Sequence, residues 1–264
     1  MTIFLFKLIL TPFFIGMVTL AGRRWGPGVS GMLMGLPLTS GPISMFLVLQ
    51  YGEPFAARAA VGNMAGMASC CVFCLTYGLA ARKWPWTVCV PCGFLAFVAS
   101  TALLNRFAWT LASASLLVLA AILGVAWALP RQKAAPRLPA PSRWDLPARM
   151  IVATAFVVAL TALAQSLGPQ LSGLISPFPV YGLVLAGFTQ RHGGPAAVIG
   201  LVRGIVLGSL AFLAFFLVAG LGLGNAAPAV GVYLAASLAS AGTSWLAFLA
   251  TRNRLPFWPA RFGA

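Results

Sequence analysis

The stretch from Gly28 to Gln50 reads GVSGMLMGLPLTSGPISMFLVLQ and contains no charged residue. It is long enough to cross a bilayer, whose hydrocarbon core takes about 20 apolar residues in a helix. Pro37 and Pro42 lie in its middle, where a proline removes a backbone hydrogen bond at a cost of about 3 kcal/mol or more. The sequence therefore predicts a membrane-spanning helix that is broken near its centre.

A second break of the same kind is predicted between residues 176 and 182. Backbone groups freed by a break are tolerated at membrane depth only against protein or a wet cavity, and hydroxyl side chains lie close to both breaks. We therefore predict a substrate path lined by Pro37, Thr39, Ser40, Pro42, Ser44, Ser176, Pro179 and Tyr181. The alternative is a simple proline kink whose freed groups are satisfied by neighbouring helices.

The composition of the chain is that of an integral membrane protein. Of its 264 residues, 61% are hydrophobic and 7% are charged, whereas a soluble domain has about 25% charged residues. We expect an all-α, polytopic bundle of about nine spans, at residues 3–21, 28–50, 55–81, 85–104, 107–129, 148–166, 170–190, 196–223 and 228–250.

Residues 130–147 form the one long connection between these spans, with five prolines and four basic residues. We expect a cytoplasmic linker there, between a first transmembrane repeat at 1–129 and a second at 148–264. Thirteen of the 17 basic residues fall after odd-numbered spans or at the C-terminus. The positive-inside rule then places the N-terminus outside and the C-terminus in the cytoplasm, where anionic lipid head groups are expected partners.

The two halves align at an offset of 142 residues. The segment GPGVSG at 26–31 faces GPQLSG at 168–173, and Pro37 faces Pro179. The offset covers five spans, an odd number, so the second copy enters the membrane from the opposite side. Inverted repeats of this kind, with substrate sites near helix breaks at the midplane, are typical of secondary transporters.

The segment SGLISPFP at 172–179, with the run through Phe188, resembles a stretch of the GlpM-like small bacterial inner-membrane proteins. The similarity covers about the last 100 residues, and the first copy departs from it with Leu36 before Pro37. The resemblance implies a multi-pass protein of the cell inner membrane, associated with cell-surface polysaccharide production and without an assigned enzymatic activity. It assigns no functional residue.

Two arginines are further candidates for substrate binding. Arg58 and Arg203 lie near the start of corresponding helices in the two halves. An arginine at the bilayer centre costs about 2.5–3.5 kcal/mol on insertion scales, so a deep Arg203 would hold an anionic substrate. The alternative is that its head group snorkels to the cytoplasmic interface.

The cysteines and small residues have structural interpretations. Two CxxC pairs, Cys71/Cys74 and Cys89/Cys92, could act as thiolates, but cysteine inside a span usually packs as a small apolar residue. We expect no metal and no cofactor. The glycine pairs Gly62/Gly66 and Gly204/Gly208 predict close helix packing.

The segment GVSG at 28–31 matches the GxSG of rhomboid-like intramembrane proteases. The chain's one histidine, His192, is not expected on a mid-membrane helix, so it cannot serve as a base for Ser30. We interpret Ser30 as a residue that caps or packs a helix start.

The chain has two acidic residues, Glu53 and Asp145, and we expect both in loops. This argues against an enzyme and against carboxylate-driven cation coupling. Nucleic acid is not expected as a partner, because this composition leaves no water-facing surface to hold a basic patch. We predict a transporter or flippase that moves a neutral, amphiphilic or anionic solute by alternating access. The alternative is a non-catalytic subunit or scaffold of a cell-envelope or polysaccharide synthesis complex. The oligomeric state is left open, a homo-oligomer included.

Overall fold

A computed structural model describes the backbone of residues 2–130, 144–159, 180–225 and 228–252, with side chains for all of these except 2–10 and 251–252. Every regular element in these ranges is a helix, so the predicted all-α class is confirmed. The helices are α1 (Thr2–Trp25), α2 (Pro27–Met34), α3 (Ser40–Tyr51), α4 (Glu53–Ala80), α5 (Trp86–Leu104), α6 (Leu111–Ala128), α7 (residues 145–159), α8 (Val180–Gly224) and α9 (Ala229–Arg252).

Five of the helices in these ranges are long and apolar enough to cross a membrane. They are Glu53–Ala80, Trp86–Leu104, Leu111–Ala128, Val180–Gly224 and the Ala229–Ala250 part of α9. Length and hydropathy therefore support a membrane-embedded protein.

The predicted break at Pro37 is present, because α2 ends at Met34 and α3 begins at Ser40. The Pro37 ring disfavours helical geometry at the preceding Leu36, and proline has no N–H to continue the ladder. The chain turns through residues 35–39, and its hydrogen bonding resumes with the Gly41 amide donating to the Pro37 carbonyl at 2.9 Å.

Besides Gly26 (φ 96°) between α1 and α2, two described glycines with positive φ interrupt the chain at other predicted boundaries. Gly52 (φ 81°, ψ 169°) joins α3 to α4. Gly194 (φ 74°, ψ −174°) divides α8 into two segments, α8a at 180–193 and α8b at 195–224. Glycine is favoured at such φ values because it has no Cβ, and a proline follows within two residues in both cases.

The core is organised around α8, which contacts α2, α4, α5, α6 and α9. Its contact with α2 is backbone against backbone. A Cβ added to Gly31 would lie 2.0 Å from the Leu201 carbonyl oxygen, and one added to Gly204 would lie 2.1 Å from the Gly28 carbonyl oxygen. Residues without side chains let helices approach this closely in membranes.

The prediction of close packing is thus confirmed for Gly204 and also for Gly208, whose added Cβ would lie 2.3 Å from the Met32 carbonyl oxygen. It is wrong for Gly62, where an added Cβ would meet nothing within 4 Å. Small residues are common along membrane helices, so their spacing alone does not tell a packed face from an open one.

Both acidic residues lie in helices, and the prediction that they lie in loops is wrong. Glu53 is the first residue of α4. Asp145 begins α7 and is 7% exposed, so helix starts inside the predicted 130–147 linker. An acidic residue is favoured in the first turn of a helix, where its charge meets unpaired amides.

Candidate functional site

A cavity of about 1070 Å³ opens at the break between α2 and α3. We call it the break cavity. Its described lining comes from the ends of α1 and α2, the break, α3, α8b and α9: Trp25, Val29, Met32, Leu33, Leu36, Pro37, Leu38, Gly41, Pro42, Met45, Gly208, Phe215, Tyr233, Ser237, Ser240, Ala241, Ser244, Trp245 and Phe248. A cavity of this size matches the upper range of sites for organic ligands.

Hydroxyl groups line one wall of the break cavity. Tyr233, Ser237, Ser240 and Ser244 recur along α9 at spacings of 4, 3 and 4 residues, which places them on one side of the helix. We call this the hydroxyl face. The sequence contains this signal, but a search for charged residues and prolines overlooks it.

Two members of the hydroxyl face are already bonded within the protein. The Tyr233 hydroxyl lies 2.8 Å from Ser44 Oγ, and Ser237 donates to the Tyr233 carbonyl at 2.8 Å. The other two have no hydrogen-bond partner among the described residues: Ser240, which is 5% exposed, and Ser244, whose Oγ is buried. The free hydroxyls therefore lie toward the C-terminal end of this wall.

The described lining of the break cavity contains no charged side chain. Apolar side chains of α2 and α3 also line the cavity, and Phe215 of α8b adds a ring. Trp25, Trp245 and Phe248 contribute further aromatic surface, and the Arg24 guanidinium lies 5.5 Å from the Trp25 ring centre. The cavity can hold an apolar body and hydrogen-bond a polar group without an ion pair.

The residues predicted around the first break divide into two groups. Pro37 and Pro42 line the break cavity. Ser44 is not among its described lining residues, but its Oγ lies within hydrogen-bond distance of the hydroxyl of Tyr233, which is one of them. Thr39 and Ser40 begin α3 but are not among the described lining residues, and Thr39 makes no side-chain capping bond.

The predicted second break lies mostly outside the described residues, and Ser176 and Pro179 are among those not described. Tyr181 is described, and its hydroxyl lies 3.1 Å from Thr11 Oγ1, which joins α8a to α1. Tyr181 is not among the described lining residues of the break cavity.

Arg203 is not among the described lining residues of the break cavity and contacts the end of α6. Its Nη1 donates to the Ala126 carbonyl at 3.2 Å and also to the Leu129 carbonyl. The last carbonyls of a helix lack partners within the helix and carry partial negative charge, so Arg203 caps α6. Arg58, on α4, is exposed and is also outside the described lining.

These contacts predict the behaviour of an Arg203→Ala variant. Because hydrogen bonds from a charged donor are worth about 1.5–3 kcal/mol, we expect Arg203→Ala to lower the free energy of unfolding by about that amount. Arg58→Ala is the control and is expected to change stability by less than about 0.5 kcal/mol. Thermal melting in detergent measures both. A loss of transport by Arg203→Ala at unchanged stability would instead support the substrate-binding hypothesis.

The structure also shows the hydrogen bond made by Ser30 and the burial of the five cysteines. Ser30 Oγ donates to the Val18 carbonyl at 3.0 Å between α2 and α1, so the interpretation of Ser30 as a packing residue is confirmed. Cys70, Cys71, Cys74 and Cys89 are buried thiols, and Cys92 is exposed.

A buried ion-pair cluster, which we call the Asp145 cluster, joins three helix ends. Asp145 of α7 accepts hydrogen bonds from Arg23 of α1 at 3.0 Å and from Arg149 at 3.0 and 3.1 Å. His192 of α8a lies 3.4 Å from Asp145 Oδ1, and the Arg149 guanidinium lies 5.3 Å from the Phe188 ring centre.

The charges of the Asp145 cluster decide the ionisation of its carboxylate. Burial would raise the pKa of Asp145, but the hydrogen bond from Arg23 and the charge of Arg149 outweigh it, and the pKa lies below its ordinary value. Asp145 is therefore ionised at neutral pH and ties α1, α7 and α8a together.

Comparison of the chain with protein-family models, curated proteins and solved structures finds no match.

Proposed function

We propose that this protein is a membrane transporter or flippase, and that the break cavity is part of its substrate path. The observation that carries the proposal is the coincidence of a helix break with a large cavity. An interrupted helix inside a membrane protein is tolerated where it lines a cavity, and such breaks form substrate sites in secondary transporters.

The proposal includes two inverted repeats, and the helix bounds support it. Adding the offset of 142 to α3, α4 and α5 gives 182–193, 195–222 and 228–246. These ranges correspond to the end of α8a, to α8b and to the larger part of α9. Gly52 and Gly194 are themselves 142 residues apart, and their φ values differ by 7°.

The finer architecture is part of the same proposal. We propose about nine spans, an external N-terminus, a cytoplasmic C-terminus and residence in the cell inner membrane. The asymmetry of the basic residues supports this orientation. Arg23, Asp145 and His192 lie at the ends of α1, α7 and α8a, all of which the proposed topology places on the cytoplasmic side.

Filling the break cavity is expected to block transport. Ala241 lines the cavity and is exposed, so Ala241→Trp narrows the path without overpacking the core. Ala235 is also exposed on α9 but is not among the described lining residues, so Ala235→Trp is the matched control. We expect Ala241→Trp to reduce the transport rate by about tenfold or more and Ala235→Trp to leave it within about twofold; tenfold corresponds to about 1.4 kcal/mol in an activation barrier.

The measurement uses the full chain in vesicles that contain a trace of a lipid labelled with nitrobenzoxadiazole. Lipids with an uncharged, a zwitterionic and an anionic head group are tested in turn, and dithionite reports the fraction that has changed leaflet. If none of them moves faster than in protein-free vesicles, or if the two tryptophan variants behave alike, the transport proposal fails. The alternative of a non-transporting subunit predicts that outcome.

A further inference from the structure

We propose that the break cavity selects an amphiphile with an uncharged, hydrogen-bonding head group, such as a glycolipid, over one with an ionised head group. The proposal rests on the proposed function in one respect, that the bound amphiphile is the transported substrate. It narrows the substrate from neutral, amphiphilic or anionic solutes to one chemical class.

The length of the break cavity suits a chain-bearing molecule. Its lining on α9 runs from Tyr233 to Phe248, which spans about 22 Å at 1.5 Å per residue. The hydrocarbon core of a bilayer is about 30 Å thick, so the cavity runs along most of one membrane thickness. The apolar lining residues between Val29 and Met45 can cover a hydrocarbon chain.

The hydroxyl face provides the site for the head group. Ser240 and Ser244 have no hydrogen-bond partner among the described residues, although Ser240 is 5% exposed and Ser244 Oγ is buried. Buried polar groups are normally hydrogen-bonded, and one without a partner calls for an explanation. A ligand hydroxyl or amide at this wall would bond Ser240 directly, and Ser244 after its side chain rotates toward the cavity, because Ser244 Oγ has almost no accessible surface in the present rotamer. Serine both donates and accepts.

The described lining offers nothing to compensate an ionised head group at the same position. A phosphate or carboxylate would lose its water on entering, and none of the described lining residues carries an opposite charge to compensate. Arg203 donates to the carbonyls at the end of α6, and Arg149 is held by Asp145. Arg24 lies 5.5 Å from the ring centre of the lining residue Trp25, but it is exposed and faces solvent or lipid head groups. None of the three arginines is among the described lining residues.

Two probes with the same chains and fluorophore test the selection. We use nitrobenzoxadiazole-labelled glucosylceramide, whose sugar head is uncharged, and the corresponding labelled ceramide phosphate, whose head is an anion. Fluorescence polarisation measures their binding to the full chain, held in an amphipathic polymer because sugar detergents would compete. We expect the glucosylceramide to bind about tenfold more tightly.

Serine variants locate the head group. The double variant Ser240→Ala/Ser244→Ala is expected to weaken glucosylceramide binding by about tenfold, the effect of losing one or two hydrogen bonds. It should bind ceramide phosphate as the wild type does. Ser100 of α5 donates to its own helix at Phe97, so Ser100→Ala is the control for loss of a serine elsewhere. Gel filtration and melting temperature verify that each variant is folded.

Tighter binding of the ceramide phosphate, or equal weakening of glucosylceramide binding by the Ser240/Ser244 and Ser100 variants, would overturn the proposed selection of an uncharged head group. The binding and vesicle assays together distinguish a failure of this selection from a failure of the transport proposal. If the vesicle assay shows transport of anionic lipid that depends on the Ala241 position, the transporter stands and the selection fails. If the glucosylceramide binds as expected but no lipid changes leaflet, the selection stands and the cavity belongs to a lipid-binding subunit.

Discussion

Replacing both Gly204 and Gly208 by alanine is expected to lower the free energy of unfolding by roughly 2–6 kcal/mol, about twice the usual cost of one overpacked site. Each new methyl group would meet backbone, at 2.1 Å from the Gly28 carbonyl oxygen and 2.3 Å from the Met32 carbonyl oxygen. Backbone cannot rotate aside as a side chain can, so α2 must move away from α8b. That movement would open the wall of the break cavity, because Met32 and Gly208 line it.

The matched control is the double variant Gly62→Ala/Gly124→Ala. Both glycines are helical and exposed, and an added Cβ at either position would meet nothing within 4 Å. Alanine favours a helix over glycine by about 0.5–1 kcal/mol, so this control should be as stable as the wild type or slightly more stable. Unfolding in mixtures of dodecyl sulfate and a mild detergent measures all three proteins. Equal stability of the two double variants would refute the close contact of α2 with α8b.

Asp145→Asn is expected to have the second largest effect, a loss of about 3–5 kcal/mol, the cost of removing one partner from a buried ion pair. The change keeps the shape of the side chain but removes the charge that Arg23 and Arg149 share. Their side chains are 28% and 10% exposed, so Arg149 in particular cannot recover full hydration. Glu53→Gln removes the other acid of the chain and is expected to cost less than about 0.5 kcal/mol.

The same carboxylate is expected to make the stability of the protein depend on pH in the acid range. Because the pKa of Asp145 is lowered in the folded state, its stabilising contribution is complete above the unfolded-state pKa of about 3.9 and is lost as the pH falls through the folded-state value. The melting temperature should therefore decrease below about pH 4. In Asp145→Asn the fall in melting temperature that Asp145 causes below about pH 4 should be missing. If the melting temperature of the variant falls with pH as it does in the wild type, another group controls the fall.

The parts of the fold that depend on neighbouring residues could be predicted from the sequence. Pro37 breaks a helix through its own ring, and Gly194 is followed at once by Pro195, so both interruptions are visible in the sequence. Asp145 is different, because its partners Arg23 and His192 lie 122 and 47 residues away. In a single sequence nothing links such positions, and a proline-rich stretch before Asp145 points to a loop.

The candidate site is likewise predictable only in part. Pro37 and Pro42 stand out in the sequence because a proline inside a span is costly wherever it occurs. The serines of α9 do not stand out, because serine at 4- and 3-residue spacing is inexpensive in a membrane helix, where it can bond its own backbone. Ser237 does so, whereas Ser240 does not, and that difference appears only in the structure.

The contact between α2 and α8b also sets the order in which the protein can be assembled. Gly31 is synthesised 173 residues before Gly204, an interval of roughly 10–35 s at 5–20 residues per second. During that time α2 lacks the partner against which its glycines fit. This backbone contact is therefore completed late in translation, and a chain stopped before α8b leaves the wall of its own cavity unfinished.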